Sequence, residues 1–365
     1  MDSVPSCKRD IMRFLNGAVL AGAGAIFLAT GAVAQTPSTT TSTGAPPDFA
    51  ASASARLNSY RAMAKLPPVV DDPVISAAAY DHARYLVKNG IGSGDLLLQK
   101  QQLRFRLQAD AARSEIKGKP FYTDEGAAAA MNAVNLTEPE INLSGAEFVD
   151  LTMTMPFHGL IPMNPQFALV GLGAYCDPGQ CAIVIPAHLG LEKSVRLALY
   201  DGPASDRMWN PGLGLIPVET GRLKSPVEFP PDGATVVLNS YSGHDYPDPL
   251  PSCPEYTAPT GAPISIQLGE GYGPDGSLEV SSHFVSRDGA EIETCLVTAE
   301  SYNGHNAQET EIGKAALEAI GAAIILPREP LAPGHYKVAM KEAEKLYEWS
   351  FTVAPPPSPA TSATR

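Results

Sequence analysis

The chain has 365 residues, 44% of them hydrophobic, with 34 prolines, 32 glycines and a formal net charge of −13. That length exceeds one ordinary domain, and the apolar share is enough for sizeable cores broken by many turns. The negative balance excludes a polyanion such as nucleic acid as a natural partner.

Residues 1–34 place Lys8, Arg9 and Arg13 ahead of an Ala/Gly/Leu-rich run that ends in Ala32-Val33-Ala34 before Gln35. This is the pattern of a secretory signal peptide. The run is also long enough for an uncleaved anchor, but a small-residue site directly before a polar tail favours cleavage. The expected product is secreted, periplasmic or held at the cell surface, with no membrane span. Cleavage removes three basic and two acidic residues, leaving 23 − 37 = −14. It also removes Cys7 and leaves four cysteines, an even count that in an exported chain predicts two disulfides. Cys176 and Cys181 bracket Asp-Pro-Gly-Gln, a turn between apolar strands, which leaves Cys253 to pair with Cys295. A zinc site is the rival, but one Cx4C without a second ligand pair is a weak pattern.

Residues 35–48 read as a disordered Thr/Ser/Pro linker. Phe49–Ala64 is predicted helical, with Leu57, Tyr60 and Ala64 on one face. Asp72 is the expected cap of a second helix, with Pro73 in its first turn and Gly90 as its stop. Ile75, Ala78, His82, Tyr85 and Leu86 share a stripe there, so His82 is read first as a packed or surface histidine and second as a pocket lining. Residues 91–122 read as part helix, part loop. A third helix is predicted from Thr123 through Leu136, with Asp124 and Glu125 favouring its N-terminus. A fourth opens on the capping box Ser144-Gly-Ala-Glu147, carries Phe148, Leu151 and Met155 on one face, and stops at Pro156. Strands follow over Phe167–Tyr175, Ala182–His188 and Val195–Tyr200.

Beyond Ser225 the helical signal nearly vanishes. Seven β-like segments run from Ala234 to Val353, interrupted by one short helix over Gly313–Ile320. The last segment alternates Tyr347, Trp349 and Phe351 against Glu348, Ser350 and Thr352. Short strands separated by turns describe a β-sandwich. Residues 355–365 read as a disordered tail.

His158 is the leading functional candidate, because a side chain at a helix-to-strand junction often meets a pocket. One imidazole does not define a reaction. No G-x-S-x-G elbow is present, since Ser240-Tyr-Ser242-Gly243 lacks the leading glycine and the following helix. Gly271-Tyr-Gly273-Pro-Asp-Gly276 matches a dinucleotide pattern formally, but strand-like residues follow it and a hairpin loop is the better reading. His244-Asp-Tyr-Pro-Asp248-Pro could offer three cation ligands; without calcium-loop spacing, a solvated turn is the stronger reading.

Several segments together resemble the CAP superfamily (cysteine-rich secretory, antigen 5 and pathogenesis-related proteins) in its bacterial form. They are Leu57-Asn-Ser-Tyr-Arg61 with Leu66-Pro-Pro, Asp72-Pro-Val-Ile-Ser-Ala-Ala-Ala, Phe121-Tyr-Thr-Asp-Glu-Gly, and Pro156-Phe-His158 with Pro165 and Val170-Gly-Leu-Gly173. The resemblance implies an α-β-α sandwich whose cleft carries two histidines and two acidic residues, sometimes with zinc. Of these only His158 carries over. Pro327-Arg-Glu-Pro-Leu-Ala-Pro-Gly-His-Tyr336 and Tyr347-Glu-Trp-Ser-Phe-Thr352 resemble bacterial immunoglobulin-like domains, which speaks to fold and not to function.

The expected fold class is therefore α+β: a CAP-like α-β-α sandwich over 49–195, a connector over 196–224, and an all-β immunoglobulin-like sandwich over 225–354. The expected function is an exported, non-enzymatic module whose cleft near His158 binds a small apolar or glycan ligand, or a cell-surface component. The alternative is a cell-wall or protein hydrolase using His158 as base or metal ligand, completed by Glu115, Glu125, Glu147 or His82. No cofactor is expected, zinc being the one metal that the resemblance leaves open. A third reading, adhesion through the sandwich alone, predicts no usable cleft.

Overall fold

The computed structural model describes residues 48–91, 114–131, 133–138, 143–178, 180–189, 200–205, 208–210, 214–216, 220–269 and 278–355. The segment expected to be a signal peptide, most of the expected linker, the Gly271–Gly276 motif and most of the expected tail lie outside the described residues.

The first region begins with α1 (Phe49–Met63) and β1 (Val70–Asp71), followed by α2 (Pro73–Lys88). The Asp72 side chain accepts from the backbone N–H of Val74 and Ile75, satisfying donors that the first helical turn leaves orphaned. Next come α3 (Asp124–Met131), β2 (Ala133–Glu138), α4 (Gly145–Met153), β3 (Phe167–Val170), β4 (Gly173–Asp177) and β5 (Gln180–Leu189). The sheet order is β1-β3-β5-β2, with β4 also paired to β5 and only β1–β3 parallel. Side chains alternate across β5. Ile183 packs with Phe49 and Phe148 on the face covered by α1 and α4, while Ala182 and Val184 pack with Ala79, Ala83 and Leu86 of α2 on the other. Helices on both faces make this an α-β-α stack.

Three predicted elements are corrected here. The third helix ends at Met131, and Ala133–Glu138 is a strand paired along β5, because a ladder partner outweighs the weak helical preference of Val134, Asn135 and Thr137. The predicted strand 167–175 breaks into two at Gly171-Leu172. Gly171 and Gly173 lie where any side chain would run into Ile75 or the Ala79–Tyr80 backbone, so the missing Cβ atoms let α2 close on the sheet. The buried stripe of α2 is also rotated: Ala79, Ala83 and Val87 join His82, Tyr85 and Leu86, while Ile75 and Ala78 stay half-buried.

The second region contains β6 (Tyr200–Ser205), β7 (Met208–Asn210), β8 (Gly214–Ile216), β9 (Thr220–Phe229), β10 (Thr235–Val236), β11 (Ser240–Tyr241), β12 (Thr260–Gly261) and β13 (Ile264–Gly269). It continues through β14 (Val280–Arg287), β15 (Ala290–Glu291), β16 (Thr294–Val297), α5 (Ala307–Ile320), β17 (Ala322–Pro327), β18 (Gly334–Glu342) and β19 (Lys345–Val353). Two five-stranded sheets result, ordered β10-β19-β18-β14-β15 and β16-β17-β13-β9-β6. The predicted alternation of β19 holds, with Tyr347, Trp349, Phe351 and Val353 all buried. The helix predicted over Gly313–Ile320 ends where expected but is longer: α5 runs 14 residues from an Asn306 cap to a left-handed Gly321.

Every described residue falls in one compact unit, Thr41–Arg365. One apolar core runs through both regions, joining Leu57, Tyr60, Met153 and Phe157 to Phe229, Ile264, Ile266 and Tyr302. Tyr60 meets Phe229 edge-on at 5.7 Å, and Phe157 meets Tyr302 at 5.2 Å. The seam between the regions is packed like an interior.

Candidate functional site at the seam between the two regions

The His158 turn is held from below by the end of α4 and by one buried arginine. Ser144 and Glu147 form the predicted capping box, and α4 ends at Met153, ahead of Pro156. The chain then tightens into a 3-10 turn over His158–Leu160. Arg61 is fully buried, and its guanidinium donates to the carbonyls of Pro67 (2.7 Å), Pro162 (2.5 Å), Asn164 (2.9 Å) and Phe167 (3.0 Å). A fork of fixed donors thus satisfies a proline-broken segment that cannot form a regular ladder.

His158 meets its partner across the seam. Its Nδ1 is hydrogen-bonded to Oδ1 of Asp245. The Oδ2 of Asp245 accepts from the backbone N–H of Phe157 (2.6 Å) and of His158 (3.4 Å), and Oδ1 accepts from the Tyr246 N–H at 2.8 Å. The imidazole is 14% exposed, whereas the Asp245 side chain is completely buried. All hydrogen bonds of the His158 ring among the described residues go to Asp245.

The loop carrying Asp245 is anchored at Asp248. The carboxylate of Asp248 accepts from Tyr241 Oη (3.2 Å) and the Leu250 N–H (3.0 Å), and meets His305 Nε2 at 3.0 Å. Its backbone N–H donates to Glu309 Oε1 (2.9 Å), and its carbonyl accepts from Tyr302 Oη (3.1 Å). Glu309 Oε2 accepts from the His305 N–H at 3.1 Å. Burial pushes the Asp248 and Glu309 carboxyls up, partly offset by backbone N–H donors, and pushes the Tyr241 and Tyr302 phenols up as well. The loop is therefore not the solvated turn expected from the sequence; its acids are walled in and act as acceptors for backbone.

The other sequence candidates lie elsewhere. His82 Nδ1 meets Glu115 Oε1 at 3.0 Å, with both side chains fully buried. Glu115 also accepts from the Thr123 N–H (3.0 Å), and the His82 ring stacks on Tyr85. Glu147 is spent on Ser144, whose N–H and hydroxyl pull its carboxyl below the usual range. Glu125 is exposed in the first turn of α3. Among the described residues none of these four hydrogen-bonds to His158.

Among the described residues no set of side chains fits the zinc that the resemblance leaves open. Among the described residues no three His, Cys, Asp or Glu side chains converge as a metal requires. Both Nδ1 atoms, of His82 and of His158, already face carboxylates. Asp245 stood among the sequence candidates only as a possible cation ligand, and Glu309 was absent from them. The pairing of this loop with His158 and Glu309 had no local signal in the sequence.

Both disulfides form in the expected pairing. Cys176 and Cys181 are register partners on β4 and β5, and Cys253 is tied to Cys295 on β16. Among the described residues no helix is long and apolar enough to cross a membrane.

This geometry, an α-β-α stack with a histidine turn at its edge, agrees with a family comparison. Residues 55–185 match the family described as CAP, the cysteine-rich secretory protein family. The first region is thus similar to CAP domains, and that match ends before β6. No curated protein matches the chain. Two solved structures of PcoC from Escherichia coli, described as a copper resistance protein and as a methionine-rich one, are 15% and 14% identical. Each comparison covers 35% of this chain, with 95% and 93% of PcoC, at a TM-score of 0.19. At that score neither bears on the fold or function of this chain.

Proposed function

We propose that this is an exported protein of bacterial type whose CAP-like region is a non-enzymatic binding module, with His158 facing the ligand. The second region is read as an immunoglobulin-like sandwich that supports that site. Export rests on the basic-then-apolar start with Ala32-Val33-Ala34, and on two disulfides, which persist in oxidising compartments. The observation that carries the binding reading is the partnership of His158. Its ring is oriented by a buried carboxylate and left partly open to solvent, and among the described residues the bonds it makes include no hydroxyl or thiol that it could activate. The ligand is small, apolar or glycan, or part of a cell-surface component.

The hydrolase reading keeps one point in its favour, because a buried carboxylate behind an imidazole also orients a general base. Calorimetric titration of the mature full-length chain with chitotetraose and with dodecanoate, beside peptidoglycan and casein hydrolysis assays, separates the two. Binding that falls at least tenfold in His158→Ala, without turnover, is the expected result. Turnover that disappears in His158→Ala would replace this reading with the hydrolase.

A further inference from the structure

We infer that Asp245, supplied by the second region, is a positioning residue that fixes the hydrogen of His158 on Nδ1 and leaves Nε2 as a lone-pair acceptor for an uncharged, hydroxyl- or amide-bearing ligand such as a glycan. The inference rests on the reading of His158 as the ligand-facing group and narrows the ligand class within it.

The argument is one of donor counting. Three backbone N–H groups, those of Phe157, His158 and Tyr246, already point at the two oxygens of Asp245, and an N–H can only donate. Both oxygens are therefore acceptors. The fourth contact, from His158 Nδ1, must then also be a donated N–H. In its neutral form the imidazole carries a single ring hydrogen, so in that form Nε2 is left with its lone pair. Among the described residues no group donates to Nε2, and the side chain is 14% exposed. A sugar hydroxyl or an acetamido N–H completes that acceptor. A carboxylate or phosphate is repelled by it, and an alkyl chain leaves it without a partner.

Asp245 cannot be replaced by its amide without consequence. Each oxygen of Asp245 takes at least one backbone N–H, so the NH2 of Asp245→Asn must oppose a donor on one side or the other. With the NH2 turned toward Nδ1, that ring nitrogen must accept, the ring hydrogen moves to Nε2, and Nε2 becomes a donor. The site is thus composite: an acidic residue 87 positions away and in the other region decides what the imidazole can bind.

The test uses the mature full-length chain labelled with 15N-histidine. Long-range 1H–15N correlation spectra should place the His158 hydrogen on Nδ1 in the wild type, and move it to Nε2 in Asp245→Asn. Titration with chitotetraose should shift Nε2 of the wild type, and the affinity should fall at least tenfold in Asp245→Asn with the near-UV circular dichroism unchanged. A wild-type hydrogen on Nε2 overturns the inference and leaves the binding-module reading standing. So does a response of His158 to dodecanoate and not to chitotetraose, or unchanged chitotetraose affinity in Asp245→Asn. No response of His158 to either probe sinks the parent reading and this inference together. If the variant loses its native spectrum, the wild-type tautomer and the two titrations decide.

Discussion

In the first region His82 and Glu115 lie 33 positions apart and are sealed together beneath α2, neither side chain reaching solvent. At the seam His158 and Asp245 lie 87 positions apart and come from different regions, and the imidazole edge is still open. The chemistry is the same and the placement is opposite. A pair closed within one region can act only on the packing of that region. A pair that spans two regions ties their association to the orientation of a reachable group. On this contrast the proposed ligand-facing role falls to His158 and a packing role to His82, although both are histidines on or after helices of the CAP-like region.

The disulfides sharpen this contrast, since each region carries one. The Cys176–Cys181 bridge has a sequence separation of 5, and Cys253–Cys295 one of 42. In the chain-entropy view the longer loop is worth about 4 kcal/mol and the hairpin about 2 kcal/mol. Cys253→Ser should therefore lower the thermal midpoint more than Cys176→Ser does. Because one core runs through both regions, each variant should shift a single transition. Two separate transitions in calorimetry would break the picture of a shared core.

A smaller effect is expected from Glu228 on β9, at the seam. Burial, and secondarily the nearby Asp232, push its carboxyl up to about 7, with Lys65 after α1 opposing. Folding thus favours the protonated form. The stabilising contribution is complete below the unfolded value near 4.5 and is lost as the pH rises through about 7. Glu228→Gln should match the wild type at pH 4 and exceed it at pH 8 by about 1–2 kcal/mol, a figure reduced from the full shift because the group is partly solvated. Equal stability of the two proteins across that range, by urea unfolding, would remove Glu228 from the seam electrostatics.

Much of the fold was legible from local chemistry. Asp72 with Pro73, Ser144 with Glu147, and the alternating Tyr347, Trp349 and Phe351 all act within a few residues of themselves, and their elements form where expected. The strand Ala133–Glu138 was not legible, because its helical composition is overridden by pairing with β5. The site was legible only by half. His158 announced itself by its junction, but Asp245 sits in a loop whose burial depends on Tyr241, Tyr302 and Glu309 arriving from other elements. No periodicity encodes such a meeting.

The composite nature of the site is tested most directly by a double-mutant cycle on the full-length chain, with His158→Ala, Asp245→Ala and the double variant compared by urea unfolding. Residues in one buried hydrogen-bonded pair couple by about 0.5–3 kcal/mol. A value above about 1 kcal/mol is predicted here, since Asp245→Ala leaves buried donors unpaired and His158→Ala removes one of the donors to a buried carboxylate. Additivity within about 0.3 kcal/mol would contradict the pairing of His158 with Asp245, and with it the dependence of the site on the second region.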